Sequence, residues 1–185
     1  MDIAVYSGSF NPLHIGHLAI LVHLTELFDK TLLVVSPVNP LKESATVLDA
    51  EKRLREAREA VARHPELDGK VEVSDVEFHL PTPNYTINTL DALKKSAPDN
   101  NFTLITGGDQ IADFRRWRDY RRILTEYGVA VFPREGFDID GIRAGLLREN
   151  AEYRINLLEM PLVTVSSTQI RQLIAEGADV SALLM

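Results

Sequence analysis

The sequence contains no cysteine among its 185 residues, which excludes disulfide bonds, thiolate metal sites and cysteine nucleophiles. It also lacks an apolar run long enough to cross a membrane, and it opens on a strand pattern instead of a signal peptide, so we expect a cytoplasmic protein. Basic residues are the minority, because 20 Lys and Arg face 27 Asp and Glu, for a formal net charge of −7. A general nucleic-acid-binding protein needs a basic face, so we expect no nucleic-acid partner. The lack of a long apolar run predicts no membrane partner. A phosphorylated small molecule needs only a local cluster of donors and stays possible.

The residues that are present alternate between apolar strand patterns and amphipathic helix patterns. With 45% hydrophobic and 25% charged residues, the chain has the composition of a globular protein. It shows no internal repeat and no dividing linker, so we expect a single domain over residues 1–185 with a doubly wound α/β fold. Strands are predicted over residues 3–6, 31–36, 71–78, 102–106, 129–132 and 162–165.

The opening segment joins a strand to a helix through a loop of small residues. The strand Ile3–Tyr6 is followed by Gly8, Asn11 and Pro12, which mark a turn, and helical spacing begins near His14. A helix that starts after such a loop directs free backbone N–H groups at one point. This arrangement predicts a phosphate-binding site.

Two histidines sharpen that prediction. His14 and His17 are three residues apart at the helix start, so both imidazoles lie on one side of the first turn. Gly16 between them is expected to let a ligand approach the backbone closely. An imidazole can donate a hydrogen bond to a phosphate oxygen and can stabilise charge on a phosphoryl group. The alternative is a pair of surface histidines that cap an ordinary helix.

A second phosphate site is predicted near the other end of the chain. Ser166, Ser167 and Thr168 follow the expected strand 162–165, and Arg171 lies one turn into the next helix. Helix capping requires only one hydroxyl. Three hydroxyls together with free N–H groups and a guanidinium favour an anion.

Several side chains in the middle of the chain allow two interpretations each. Asn39 and Lys42 follow the second strand, where ligands of open α/β sheets collect, or they are solvated loop residues. Asp109, after Gly107, is either a helix N-cap or a carboxylate that accepts from sugar hydroxyls. Trp117 is either a core anchor of a helix running to about residue 127 or a plate on which a flat ring stacks.

Residues of two helices between these sites are predicted to have structural roles and no contact with a ligand. Arg53, Arg55 and Arg58 are expected on the solvated face of a charged helix over residues 49–63. Thr86 is expected to be the N-cap of the helix that follows Pro83.

Several motifs of the chain resemble the signatures of a known family. The segment G-S-F-N-P-L-H-I-G-H, residues 8–17, is similar to the [HT]-x-G-H signature that follows the first strand of the Rossmann-like nucleotidylyltransferase superfamily. The segment V-S-S-T-Q-I-R, residues 165–171, resembles the signature that accompanies it in pantetheine-phosphate and nicotinate-nucleotide adenylyltransferases. The nicotinate group is favoured by P-N-Y-T followed by T-L (residues 83–90), Gly108-Asp109 with Trp117, Asn39-Pro-Leu-Lys42, and Pro133-Arg134-x-Gly136.

The resemblance implies transfer of AMP from ATP to nicotinate mononucleotide, giving deamido-NAD and pyrophosphate in NAD biosynthesis. It implies Mg²⁺ carried with ATP, with no protein side chain expected as a metal ligand, and a possible homo-oligomer. Catalytic roles are implied for His14, His17, Lys42 and Arg171. ATP binding is implied for Gly8, Ser9, Phe10, His14, His17, Gly107, Asp109, Ser166, Ser167, Thr168 and Arg171. Nicotinate mononucleotide binding is implied for Asn39, Lys42, Tyr85, Thr86 and Trp117.

The chain departs from the family pattern at Ser7 and Asn11, where glycine and aspartate are more frequent. We find no nucleophile with a base beside it, so we expect direct transfer without a covalent enzyme intermediate. Two alternatives stay open: another acceptor, namely nicotinamide mononucleotide or pantetheine phosphate, and a nucleotide-binding module without catalysis.

Overall fold

A six-stranded, all-parallel sheet forms the centre of the computed structural model, which describes residues 1–37 and 47–185. Its strand order is β3-β2-β1-β4-β5-β6. This order, with its reversal between β1 and β4, confirms the predicted doubly wound, Rossmann-like sheet. The strands are β1 Asp2–Gly8, β2 Lys30–Val35, β3 Val71–Ser74, β4 Asn101–Gly107, β5 Val129–Phe132 and β6 Ile155–Leu157.

Helices connect the strands and cover both faces of the sheet. They are α1 Ile15–Leu27, α2 Val47–Ala62, α3 Thr86–Ser96, α4 Gly108–Ala112, α5 Tyr120–Arg122, α6 Ile139–Glu149 and α7 Ser167–Ala175. A π-helical turn, Ile123–Tyr127, continues α5. Single 3₁₀ turns lie at Pro65–Leu67, Val76–His79, Phe114–Arg116 and Ser181–Leu183. No helix in the described ranges is long and apolar enough to cross a membrane.

Alternation along the buried strands produces two cores. Ile3 and Val5 of β1 pack with α3, α6 and the π-helical turn on one face, whereas Ala4 and Tyr6 pack with α1 and α2 on the other. Successive side chains of a strand point to opposite faces, and a parallel sheet covered on both sides therefore consists of nearly continuous apolar residues.

The predicted last strand is wrong. Residues 162–165 are irregular, and the sixth strand is Ile155–Leu157, which pairs with β5. Pro161 lacks an N–H and cannot extend the ladder. The carbonyl of Val163 instead accepts a hydrogen bond from the guanidinium of Arg134 at 3.2 Å. The strand that does form is only three residues long, which is too short to show periodicity in the sequence.

Two further predicted elements end earlier or are broken. The strand predicted over 71–78 stops at Ser74, and a 3₁₀ turn then carries Glu77 into the interior. The helix proposed to run through Trp117 to about residue 127 is interrupted at Asp119, whose φ of +51° is left-handed. A non-glycine residue in this conformation cannot continue a right-handed helix.

Candidate active site

A cavity of about 750 Å³ opens beyond the carboxyl ends of β1 and β4. This is the position where ligands bind in doubly wound sheets, because the crossovers on either side turn to opposite faces. The predicted site residues that line it are Gly8, Ser9, Phe10, His14, His17, Tyr85, Thr86, Asp109, Trp117, Ser166, Ser167, Thr168 and Arg171. Gly107 lies next to this wall as the N-cap of α4. Asn39 and Lys42 lie outside the described residues.

His14 and His17 form a stacked pair at the start of α1, with ring centroids 3.6 Å apart. The backbone N–H of Gly16 donates to Nδ1 of His14 at 3.1 Å, and the N–H of His14 donates to Nδ1 of His17 at 3.2 Å. Both Nδ1 atoms are acceptors, so each neutral ring carries its hydrogen on Nε2. His14 is therefore the helix cap that the alternative interpretation requires, and each ring still keeps one free donor.

The environment keeps both rings neutral. Burial, followed by the charge of Arg134, lowers the pKa of His14 to about 4. Burial first, then His14 and Arg134, also lower the pKa of His17 well below its ordinary value. Near pH 7 the pair therefore offers two uncharged N–H donors. A bound phosphate would raise both pKa values, since a nearby negative charge favours the imidazolium form.

Gly16 has a packing role that the sequence did not predict. A Cβ atom at this position would lie 2.8 Å from Cγ1 of Val163, inside van der Waals contact. The missing side chain therefore lets the irregular segment 158–166 pack against the start of α1. The predicted role of Gly16 in ligand approach stays a prediction.

The loop between β1 and α1 is held from behind by an arginine. Arg53 of α2 is only 6% exposed. Its Nη1 donates to the carbonyls of Ser9 at 2.6 Å and Ser36 at 2.9 Å, and its Nη2 donates to the carbonyl of Pro37 at 3.0 Å. The prediction of a solvated face is wrong for this residue, because the strand ends leave carbonyls that need donors. It is confirmed for Arg55 and Arg58, which are exposed.

The second motif lies against the first. Ser166 is the N-cap of α7, and its Oγ accepts from the N–H of Gln169 at 3.2 Å. Ser167 Oγ donates to the carbonyl of Pro12 at 3.0 Å. Arg171 donates through Nη1 to the carbonyl of Asn11 at 2.7 Å and through Nη2 to Thr168 Oγ1 at 3.0 Å. The Ser167 hydroxyl and the Arg171 guanidinium thus join two segments that are about 155 residues apart in the chain.

The opposite wall is formed by the start of α3 and by aromatic rings. Tyr85, and not Thr86, occupies the N-cap position of α3, so the predicted cap is wrong by one residue. The guanidinium of Arg118 lies 5.3 Å from the centroid of the Tyr85 ring. Trp117 is half-buried against Phe114, with centroids 4.7 Å apart, and also lines the cavity. Trp117 therefore packs against the core from outside a long helix, and stacking of a flat ring on it stays a prediction.

Charged residues complete the wall. Asp109 lies in the first turn of α4 and is not its cap, so that alternative is wrong. Its Oδ1 is 3.6 Å from Nε of Arg134, and both side chains line the cavity. No group of three His, Asp or Glu side chains in the part of the chain that the structure describes could hold a metal ion.

Sequence reasoning gave no site role to four of the residues at or behind this wall, namely Arg53, Glu77, Arg118 and Arg134. A sequence pattern could have identified Arg134, since it belongs to the Pro-Arg-x-Gly segment after β5. Glu77 had none, because it stood within an expected strand. Arg53 was one of three arginines on a charged helix, and only the tertiary structure separates it from the others.

Comparison with known proteins identifies the family. The cytidylyltransferase-like family matches residues 5–173. A probable nicotinate-nucleotide adenylyltransferase of Flavobacterium johnsoniae is 37% identical, over 100% of this chain and 92% of that protein. The relative of the same name in Bacteroides fragilis is 38% identical, over 97% of this chain and 85% of its own.

A solved structure supports the fold independently. Plasmodium falciparum nicotinic acid mononucleotide adenylyltransferase complexed with NaAD superposes with a TM-score of 0.80 at 21% identity, covering 97% of this chain and 86% of that chain. At this level of identity the likeness speaks for the fold alone. The assignment to a family rests on the sequence identity to the two relatives over nearly the full chain and on the family match over residues 5–173. The chain therefore belongs to the cytidylyltransferase-like family and, within it, to the nicotinate-nucleotide adenylyltransferases.

Proposed function

We propose that the protein transfers the adenylyl group of ATP to the phosphate of nicotinate mononucleotide, forming nicotinate adenine dinucleotide and releasing pyrophosphate. The observation that carries this proposal is the meeting of three motifs around one cavity. The histidine pair of α1, the serine-rich start of α7 and the Tyr85–Thr86 start of α3 all line it. One wall of the cavity carries hydrogen-bond donors that suit phosphate groups, and the other carries aromatic rings. Such a site suits a reaction between two nucleotides.

The wall formed by His14, His17, Arg134 and Arg171, here called the donor wall, is suited to a triphosphate. His14 and His17 offer Nε2–H donors, and Arg134 and Arg171 contribute guanidinium groups to the same cavity. Transfer of a phosphoryl group is catalysed mainly by positioning and by electrostatic stabilisation. We assign the histidines to the oxygens of the transferred α-phosphate, and Arg171 with Ser166–Thr168 to the departing pyrophosphate. Asp109 and Gly107, at the end of β4, are assigned to the nucleotide sugar.

The histidines act as donors and not as general bases. Each Nδ1 is already engaged by a backbone N–H, and each Nε2 carries a hydrogen. A base is also unnecessary, because the attacking phosphate of the acceptor is ionised at neutral pH. The acceptor phosphate attacks the α-phosphorus in line, the bond to the bridging oxygen of pyrophosphate breaks, and the pyrophosphate leaves as an anion.

The acceptor is assigned to the opposite wall. The backbone N–H groups at the start of α3, beside Tyr85 and Thr86, are suited to the nicotinate carboxylate, since a helix N-terminus favours negative charge. Trp117 offers a half-buried ring face to the flat pyridine. Asn39 and Lys42 are proposed for the acceptor phosphate on the family resemblance alone.

Mg²⁺ enters this proposal with ATP, as part of the substrate. The described residues form no cluster that could hold the ion by themselves, whereas a triphosphate supplies the oxygen ligands that Mg²⁺ prefers. When bound, the ion offsets charge on the phosphates. The donors of this chain then orient the same oxygens.

The test is pyrophosphate release with ATP and Mg²⁺, run in parallel with nicotinate mononucleotide, nicotinamide mononucleotide and pantetheine phosphate. We expect strong preference for the nicotinate form. If another acceptor were preferred, the mechanism would stand, and the wall at the start of α3 would be assigned to that acceptor instead. Binding of ATP without turnover on any of the three would show that the proposed function is wrong.

A further inference from the structure

Glu77 places a buried carboxylate in the wall of the cavity. The residue is 4% exposed. Its Oε1 accepts hydrogen bonds from Ser7 Oγ at 3.0 Å and Thr89 Oγ1 at 2.9 Å, and its Oε2 accepts from Ser36 Oγ at 2.6 Å. These three hydroxyls belong to the end of β1, to the residue after β2 and to α3. One carboxylate therefore joins three elements that meet at the site.

Glu77 also holds the segment that we assign to the acceptor from both of its ends. Its backbone carbonyl accepts from Nδ2 of Asn84 at 2.8 Å, just before Tyr85. Its carboxylate accepts from Thr89, one turn into α3. Tyr85 and Thr86 lie between these two anchors, so their position relative to β1 depends on Glu77.

The chemistry of the network makes it stiff. A carboxylate removed from water is costly unless hydrogen bonds replace its hydration, and bonds to an ionised acceptor are stronger than neutral ones. The three hydroxyls therefore converge on one small group. Displacing α3 from the loop after β1 would break a charge-assisted bond.

We propose that Glu77 is a positioning residue for the acceptor, one that sets the distance between the segment 84–86 and the phosphate-binding loop 8–10. The inference rests on the proposed function. Glu77 acts through its hydroxyl partners, and the reacting atoms lie elsewhere. Ser7 stands where the family more often has glycine, so this chain has a hydroxyl link from β1 that a glycine could not provide.

The sharpest test removes one hydroxyl and keeps the shape of the side chain. Thr89→Val breaks the link between Glu77 and α3. Thr31→Val is the matched control, because Thr31 is fully buried in β2 and its Oγ1 has no hydrogen-bond partner within residues 1–37 and 47–185. The chain has a single tryptophan, Trp117, so its fluorescence can report binding of nicotinate mononucleotide directly.

We expect Thr89→Val to raise the Kd and KM for nicotinate mononucleotide about tenfold, which matches the loss of one charge-assisted hydrogen bond. The KM for ATP should stay within about twofold of the wild-type value, because the donor wall keeps its contacts. Thr31→Val should match the wild type in both constants. Glu77→Gln should have a smaller effect than Glu77→Ala, since hydroxyls can rotate to meet an amide.

Ser7→Gly serves as a second probe that leaves the interior packed, and it should raise the acceptor Kd in the same direction. An equal rise in the KM for ATP in these variants, or unchanged acceptor constants in Thr89→Val and Ser7→Gly, would overturn the inference. Both results presuppose an active wild-type enzyme. A wild type without turnover on any acceptor would instead count against the proposed function.

Discussion

At the scale of single residues, the two ring nitrogens of each active-site histidine have separate tasks. The Nδ1 atoms of His14 and His17 accept backbone N–H groups and so shape the first turn of α1. The Nε2–H groups stay available to a phosphate. The backbone contacts that begin the helix thereby also fix the tautomer that the proposed catalytic role requires.

His17→Ala should lower kcat for nicotinate mononucleotide adenylylation by about 10²–10³-fold, the loss typical of one preorganised donor to a developing anion. Steady-state pyrophosphate release measures it. Circular dichroism and thermal melting should show a folded protein, because the N-cap His14 keeps its hydrogen bond from the N–H of Gly16. Turnover near the wild-type value would show that the assigned role is wrong.

Arg53→Ala should lower the free energy of unfolding by about 3 kcal/mol, because three backbone carbonyls lose a buried charged donor. Urea unfolding measures this loss. Arg55→Ala, on the exposed face of the same helix, should stay within about 0.5 kcal/mol of the wild type. Equal stability of the two variants would contradict the role given to Arg53.

At the scale of elements, buried strands were predicted from the sequence more accurately than strands at the edge of the sheet. The strands β1, β2, β4 and β5 are apolar runs buried on both faces, and their predicted bounds differ from the structure by at most two residues at either end. The edge strands β3 and β6 are short. The end of β3 and the position of β6 were predicted wrongly, because their partners, not their own periodicity, decide where they end. The same reason hides Arg53 and Glu77, whose roles depend on which carbonyls and hydroxyls the fold brings near.

Two glycines in helices offer a paired prediction at this scale. Gly16→Ala should destabilise the protein by about 1–3 kcal/mol, because the new methyl group would meet Val163 at 2.8 Å. Gly145→Ala in α6 should stabilise it by about 0.5–1 kcal/mol, since its methyl group would reach only flexible guanidinium ends 3.8 Å away. Chemical denaturation of the two variants beside the wild type measures both signs. Destabilisation by both would contradict the packing role of Gly16.

At the scale of the whole molecule, the sheet order explains why distant motifs meet. The reversal between β1 and β4 opens the cavity, and α7 closes it by donating to the loop after β1. The sequence predicts the motifs, yet their distances depend on the folded topology. A single domain over residues 1–185, a possible homo-oligomer and a cytoplasmic location stay predictions.

Global stability should depend on pH through the histidine pair. Burial and Arg134 lower the pKa of His14 to about 4 in the folded protein, from an ordinary value of 6.5, and the pKa of His17 is lowered as well. Between these two pH values the unfolded chain binds protons that the folded protein does not. The free energy of unfolding therefore rises with pH across this window, by up to about 1.4 kcal/mol per pH unit for each histidine.

The variant His14→Asn isolates one of the two contributions. Asparagine is a favourable N-cap, so it can keep the start of α1 while it removes one titrating ring. Urea unfolding at several pH values from 4 to 7 should give a shallower rise in stability for this variant than for the wild type. Saturating ATP should also flatten the dependence, because phosphate favours the protonated rings in the folded state. A wild-type slope that persists in His14→Asn and with ATP would mean that other groups govern acid stability, and the histidines would then not be the neutral donors that their contacts indicate.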